Sequence, residues 1–179
     1  MYFYDKIIRP RRYAMEDQVD RDLAQWQTEC PELDVSAIAV LGRVFRLATV
    51  AMRNVDHSYR ANGLQQGEFD VLATLYRAGS PYALNPQRLA EAVLLSSGAM
   101  TNRLGRLQSA NLLTRRANPS DRRGIIVSLT EEGLRVVKQA LPDYMAELER
   151  LLKPLPATER TQLAALLKTL LISHDVKAS

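Results

Sequence analysis

The most informative segment of this chain runs from Asn118 to Gly133 and reads N-P-S-D-R-R-G-I-I-V-S-L-T-E-E-G. It opens with turn-forming residues and an Asp-Arg-Arg tripeptide, whose charges suit an exposed loop tip. The apolar residues Ile125, Val127 and Leu129 then follow the period of two that is typical of a half-buried strand. A threonine that can cap a helix comes next, before two glutamates where the helix dipole favours negative charge. The stretch therefore predicts a basic wing, with two short strands joined by a charged tip and leading into a helix.

A pair of helices is predicted just before the wing. Asn85 and Pro86 start a short helix, because proline is well tolerated at the first helical position. Ser96 or Ser97 can cap a second helix. The apolar stripe of this second helix consists of Met100, Leu104 and Leu107. Its opposite side carries Gly98, Asn102, Arg106 and Ser109. A helix that buries one stripe and exposes a small polar face with an arginine is suited to the DNA major groove.

This succession of elements resembles the winged helix-turn-helix of the MarR family of bacterial regulators. The resemblance covers about residues 35–171, and the run D-R-R-x-x-x-V-x-L-T-x-x-G is its most specific part. It implies a mainly α fold with a small β-wing, built from a winged helix-turn-helix DNA-binding domain and a helical dimerisation region. The expected divisions are a tail (1–15), N-terminal helices for ligand binding and dimerisation (16–62), the winged helix-turn-helix (63–133) and C-terminal dimerisation helices (134–179).

Charge is concentrated in the same part of the chain. The whole sequence has a net charge of +4. Between Leu84 and Gly124, seven arginines face two acidic residues, a net charge of +5, so the rest of the chain carries −1. One basic block on a near-neutral body is typical of a nucleic-acid-binding face. A charge run alone could equally be a solvated surface, but here it coincides with the predicted helices and wing.

Composition sets further limits. With 179 residues the chain can form one compact unit with its own core. No run of 18 apolar residues and no signal-peptide pattern occurs, so neither a membrane span nor export is expected. The single cysteine, Cys30, excludes an internal disulfide and fits a cytoplasmic location.

The resemblance implies roles for individual residues at double-stranded DNA. Those expected at base edges and nearby phosphates of the major groove are Ser97, Thr101, Asn102 and Arg106. Arg123, with Arg122 beside it, is expected in the adjacent minor groove, where narrow A·T-rich stretches attract arginine. Arg115 and Arg116 on the first wing strand are candidates for phosphate contacts. The alternative for any single arginine is a role in surface solubility.

Further helices are predicted on both sides of this domain. Apolar periodicity places them at 16–27, 36–61, 68–78, 131–153 (with a kink at Pro142) and 156–173. The last helix has a stripe made of Leu163, Leu166, Leu167, Leu170 and Leu171. Such a stripe can be ordinary core, but the resemblance favours a homodimer interface. A symmetric dimer would place two recognition helices on one face of a palindromic site.

A second group of residues concerns a possible ligand. Asp70 and Arg77 lie on one face of their helix, about 10 Å apart along it, although complementing the helix dipole would also explain them. Arg103 falls beside the apolar stripe of its helix and leans toward the domain, where an acid such as Asp70 could be its partner. Together with Trp26, these residues resemble the urate-responsive HucR/PecS branch of the MarR family.

That branch implies a small-molecule effector, urate or a related anionic purine, and no cofactor. Trp26 would contact the ring, unless it is simply a buried anchor of its helix. Arg77 would neutralise the charge, and Asp70 and Arg103 would connect the pocket to the DNA. The predicted function is therefore a ligand-responsive transcriptional regulator, a repressor that the effector releases from its operator.

The sequence gives weaker support to two other classes of function. A redox-sensing regulator would act through Cys30, which would need a lowered thiol pKa but has no basic residue adjacent in the sequence. An enzyme is not expected, since there are only two histidines and none of the usual catalytic or phosphate-binding motifs. Neither a catalytic site nor a metal site is predicted.

Overall fold

The computed structural model describes residues 15–94, 96–118 and 121–175, and these ranges contain seven helices and three strands. The helices are α1 (Gln18–Glu29), α2 (Ser36–Ala61), α3 (Gln66–Arg77), α4 (Pro86–Ala92), α5 (Ser97–Ser109), α6 (Glu131–Leu152) and α7 (Ala157–Asp175). The strands are β1 (Ala83–Leu84), β2 (Leu113–Asn118) and β3 (Asp121–Leu129). The predicted fold class, mainly α with a small β-wing, is confirmed.

Side-chain caps set where three of the helices begin. Asn85 accepts a hydrogen bond from the Arg88 N–H at 2.8 Å, directly before the proline that opens α4. Of the two serines that could cap α5, Ser96 does so, accepting from the Ala99 N–H. At α1 the N-cap is Asp17, whose carboxylate accepts from the Asp20 N–H at 2.9 Å. The helix therefore begins at Gln18, two residues later than the predicted start at residue 16. These bonds satisfy N–H groups that a helix start otherwise leaves unpaired.

The wing is part of a three-stranded antiparallel sheet in the order β1-β3-β2. The two-residue strand β1 was not predicted, because two residues carry no recognisable period. Val127 is fully buried, as expected, but Ile125 is 48 % exposed. The prediction that both face the core is wrong for Ile125. Strand β1 pairs with β3 only as far as Val127, so Ile125 lies beyond the three-stranded part of the sheet.

The chain forms two compact units, one ending at Met52 and the other beginning at Arg53, with α2 running through the boundary. In the first unit, Val19 of α1 is buried against Gly42 of α2. Arg43 Nε donates to Asp17 Oδ2 at 2.8 Å, and Arg46 Nη2 lies 3.0 Å from Asp22 Oδ2. Arg43 also pairs with Asp20, so an apolar contact and three ion pairs join the start of α1 to α2.

The second unit has a continuous apolar core. Its largest fully buried side chains are Phe69, Leu72, Leu75, Leu89, Leu107 and Leu113. The predicted stripe of α5 lies in it, with Met100, Leu104 and Leu107 each at most 3 % exposed. Burying a side chain of this size stabilises the fold by about 1.5–3 kcal/mol. Core packing therefore holds α5 firmly on one side and leaves its other side free.

A hydrogen-bonded junction joins the wing, α5 and α6 at Thr130. The Thr130 N–H donates to the Leu112 carbonyl at 3.2 Å, and its hydroxyl donates to the Asn111 carbonyl at 2.7 Å. The same hydroxyl oxygen accepts the Gly133 N–H at 2.9 Å. A Cβ on Gly133 would overlap the Leu112 carbonyl oxygen. The T-x-x-G motif thus combines a helix cap with a close approach of two backbones.

Within the described ranges, the helices lack the combination of length and apolar character that crossing a bilayer requires.

Candidate DNA-binding face and effector pocket

The polar side of α5 is exposed over its whole length. Gly98, Asn102, Arg106 and Ser109 are all exposed, as predicted, and so is Thr101. The side chain of Ser97 lies outside the described part of the structure, as do those of Asp121, Arg122 and Arg123 at the wing tip. The helix therefore offers small polar groups and one arginine to a partner, with no bulky apolar side chain among them.

Two arginines of α5 contact the start of α3. Arg106 Nε lies 3.2 Å from Glu68 Oε1 in an ion pair, while the Arg106 side chain stays 54 % exposed. The guanidinium of Arg103 lies directly over Gly67, where a Cβ would overlap it. Both arginines line a cavity of about 340 Å³ at the end of α2 and the start of α3. The wheel position of Arg103 indicated this direction correctly.

Glu68 and Gly67 were not identified from the sequence. Glu68 occupies the third helical position, where a capping box has glutamate or glutamine, and the Gln65 N–H donates to Glu68 Oε2 at 2.9 Å. That pattern predicts a helix start and says nothing of the second oxygen of the carboxylate, which takes Arg106. The approach of Arg103 to Gly67 is a tertiary contact and leaves no local signal.

The two arginines of β2 differ in their surroundings. Arg116 is exposed. Arg115 turns toward α5, with Nη2 near Gly105, and its buried Nε has no hydrogen-bond partner among the described residues. Arg115 also lines a cavity of about 820 Å³ between α4, α5 and the wing. Of the pair, Arg116 is thus the better placed for a phosphate outside the protein.

The rim of this larger cavity includes an unusual residue, Leu94. It lies in the turn between α4 and α5, is 93 % exposed and has a φ of +53°. The left-handed region is unfavourable for a side-chain-bearing residue by about 1–2 kcal/mol. The turn therefore places a strained, exposed leucine beside the polar face of α5.

The predicted ligand residues Asp70 and Arg77 line one cavity of about 420 Å³ in the second unit. Tyr76, Tyr144 and Met145 lie on its walls as well. Arg77 is exposed, and its Nη2 lies 3.5 Å from the Thr74 hydroxyl. Burial raises the pKa of Asp70 above its usual value, and the positive charge of Arg103 opposes this shift in pKa.

Arg103 does not join them in that cavity. It acts on Asp70 through its charge, but no ion pair within 4.0 Å links these two described side chains. The direct Asp70–Arg103 pair expected from the sequence is not formed, because Arg103 lies over Gly67, one helical turn before Asp70.

Trp26 lies in the first unit and lines a separate cavity of about 390 Å³ with Asp22 and Ile38. Its side chain is 47 % exposed, so it is not a buried anchor of α1. Cys30, the free thiol, is partly buried at the C-terminal end of α1, where its N–H donates to the Trp26 carbonyl at 2.8 Å. Among the described residues, no cluster of three His, Cys, Asp or Glu side chains could hold a metal ion.

A helix-turn-helix with an exposed polar recognition helix, a basic wing and flanking long helices defines a winged-helix transcriptional regulator. The model of the MarR family matches residues 64–125. The chain is 34% identical over 150 residues to the HTH-type transcriptional regulator PecS of Dickeya dadantii, an alignment covering 84% of this chain and 90% of PecS. It is 31% identical to the regulator MhqR of Bacillus subtilis, covering 76% of this chain and 90% of MhqR. The chain belongs to the MarR family, and its similarity to PecS is consistent with the PecS branch.

Solved structures agree with this assignment. AbsC, a MarR family regulator from Streptomyces coelicolor, has a TM-score of 0.72 at 23% identity, covering 82% of this chain and 98% of AbsC. A cysteine-to-serine variant of MarR from E. coli, complexed with operator DNA, has a TM-score of 0.68 at 27% identity, covering 78% of this chain and 99% of that one. These relatives are transcriptional regulators and not enzymes.

The raised pKa of Asp70 leads to a testable expectation for stability. A carboxyl whose pKa is raised by folding binds its proton more tightly in the native state, so its ionisation destabilises the fold as pH rises through that pKa. Asp70→Asn should therefore increase the free energy of unfolding at pH 7, and the gain should shrink as the pH falls below about 4. Urea unfolding followed by circular dichroism at both pH values measures this. Asp143→Asn, at an exposed position, is the control. If Asp70→Asn is less stable than wild type at pH 7, the expectation is wrong.

Proposed function

We propose that this protein is a transcriptional repressor that binds a palindromic operator as a homodimer and that an anionic aromatic ligand, such as urate, releases it. The observation that carries the proposal is the exposed polar face of α5, next to a basic wing in the same compact unit.

The DNA-binding part rests on the geometry of α5. Its apolar stripe is buried, while Asn102 and Arg106 point away from the core. Asn can pair with adenine and Arg with guanine or phosphate in the major groove. The β2–β3 hairpin carries Arg116 at an exposed position, where it can contact a phosphate. We place Arg122 and Arg123, at the tip of the hairpin, in the adjacent minor groove. The MarR variant solved with operator DNA supports this mode of binding.

The homodimer rests on apolar surface left uncovered in a single chain. On α7, Leu166 and Leu171 are 66 % and 64 % exposed. On α2, Phe45 is 67 % exposed. Large exposed apolar side chains on long helices are typical of surfaces that pack against another copy. Two copies related by a two-fold axis would read the two halves of a palindrome.

The effector is proposed to bind in the cavity that Asp70 and Arg77 line. Its volume of about 420 Å³ falls in the range of small-molecule sites, and tyrosine rings offer faces to an aromatic ligand. Arg77 supplies the positive charge that an anion needs. The resemblance to the urate-responsive branch supports Trp26 as a further ligand contact.

A ligand at Asp70 would act on DNA through α3. The same helix holds Arg103 and Arg106 of α5 at its first turn, through Gly67 and Glu68. A shift of α3 would therefore move the side of α5 that faces DNA. Linkage requires the coupling to be reciprocal, so operator DNA should weaken ligand binding by the same factor.

The experiment is a gel-shift titration on DNA upstream of the protein's own gene, with and without urate. Urate should dissociate the complex of the wild type, whereas Arg77→Ala should keep its DNA affinity and lose the response. Lys138→Ala, on the exposed side of α6, should respond like wild type. Release by a phenolate but not by urate would contradict the effector and leave the repressor standing. Release by peroxide that Cys30→Ser abolishes would instead favour redox sensing.

A further inference from the structure

Glu68 is a buried carboxylate whose two oxygens serve different helices. It is 9 % exposed, third in α3. Its Oε2 accepts the Gln65 N–H at 2.9 Å and so caps its own helix. Its Oε1 lies 3.2 Å from Arg106 Nε of α5, in an ion pair. A glutamate is seldom buried without partners, and this hydrogen bond and ion pair supply them.

The cap alone does not require a negative charge. Glutamine serves as well as glutamate at this position of a capping box, because one carbonyl oxygen suffices for the N–H. The charge and the second oxygen are needed only for Arg106. The pairing with α5 therefore accounts for a glutamate in this buried place.

The contact with Glu68 affects which nitrogens of the Arg106 guanidinium can reach a partner outside the protein. A guanidinium has five N–H donors in one rigid plane. Glu68 approaches the guanidinium most closely at Nε, and among the described residues no other ion pair is formed by the Arg106 side chain. The two Nη groups lie further from the carboxylate than Nε, on a side chain that is 54 % exposed. Fixing Nε removes much of the rotational freedom of a long side chain before any partner arrives.

The preceding turn of α5, which carries Arg103, also contacts the start of α3. Arg103 lies over Gly67, so consecutive residues of α3 hold arginines that are three positions apart on α5. Together with the buried stripe on its other side, these contacts restrain rotation of α5 about its own axis.

We propose that Glu68 is a positioning residue for DNA recognition: it holds Arg106 by Nε and thereby presents the two Nη groups to a phosphate at the edge of the major groove. The proposal rests on the proposed function, and it adds a residue of α3 that itself does not touch DNA.

The test is a double-mutant cycle on operator binding. Affinity is measured by gel shift or filter binding at several salt concentrations. Glu68→Gln keeps the cap but presents an amide NH₂ to Arg106, so operator affinity should fall about tenfold and the salt slope should decrease by about one unit. Arg106→Ala should show a similar loss. The double variant should be no weaker than Arg106→Ala alone, within about twofold, because Glu68 acts through Arg106.

Two further variants make the outcome decisive. Glu132→Gln removes a carboxylate that pairs with an arginine on the exposed side of α6, and it should bind DNA like wild type. Arg106→Lys keeps the charge but has no planar fork, so it should bind about as weakly as Arg106→Ala. This variant tests the proposal even if Glu68→Gln is poorly folded.

Each contrary result has a distinct meaning. Additive losses in the cycle, or near-normal binding by Arg106→Lys, would overturn the positioning role while leaving the repressor intact. Normal binding by Glu68→Gln beside weak binding by Arg106→Ala would do the same. If the wild type itself prefers no promoter fragment over random duplex, the proposed function fails and the role of Glu68 falls with it.

Discussion

Gly133→Ala should destabilise the protein by about 3 kcal/mol, a typical upper value for forcing an atom into a packed site. The added Cβ would overlap the Leu112 carbonyl oxygen, which belongs to the backbone and cannot swing aside. Any relief would have to break the hydrogen bonds of Thr130 to Asn111 and Leu112, which connect α5, β2 and α6. Urea unfolding at pH 7 gives the free energy directly.

Gly98→Ala is the matched control for this substitution. Gly98 is also helical, but a Cβ there would meet no atom within 4 Å. Since alanine favours helix over glycine, this variant should gain roughly 0.5 kcal/mol. The same chemical change is thus expected to have opposite signs at two positions. A loss of less than 1 kcal/mol for Gly133→Ala would mean that the two backbones can separate easily.

Replacing both wing-tip arginines, Arg122 and Arg123, with alanine should weaken operator binding roughly 30-fold at physiological salt, at about 1 kcal/mol for each arginine. The reason is electrostatic, because each cation that approaches the DNA backbone releases counterions from it. The slope of log affinity against log salt should therefore flatten by about two units. Binding isotherms at several salt concentrations measure both quantities.

Arg135→Ala is the control for loss of charge, since Arg135 pairs with Glu132 on the exposed side of α6. It should leave the slope unchanged within error. If the wing variant binds with the wild-type slope, the assignment of these arginines to DNA is wrong, whatever happens to the affinity.

Local chemistry explains why much of the fold could be predicted. Asn85, Ser96 and Thr130 each cap the helix that follows, and these bonds involve residues three positions apart. The buried stripe of α5 follows from helical geometry alone. Helix caps and helical stripes can be read from a sequence because they depend on residues a few positions apart and not on distant segments.

Contacts between distant segments could not be predicted. Strand β1 exists because Ala83 and Leu84 pair with β3, more than forty residues along the chain. Glu68 looks like a capping residue until α5 is packed beside it. Arg103 was expected to pair with Asp70, but Gly67 leaves a space nearer to it, and the guanidinium occupies that space. A helical wheel gives a direction, while the partner depends on packing.

Trp26 gives the protein a built-in spectroscopic probe. It is the only tryptophan in the sequence and lies half-exposed in the N-terminal unit, whereas the tyrosines Tyr59, Tyr76 and Tyr144 belong to the other unit. Indole emission excited at the red edge will therefore report on the first helices alone. Quenching of Trp26 fluorescence by iodide or acrylamide could therefore detect an effector that binds near Trp26, without any added label.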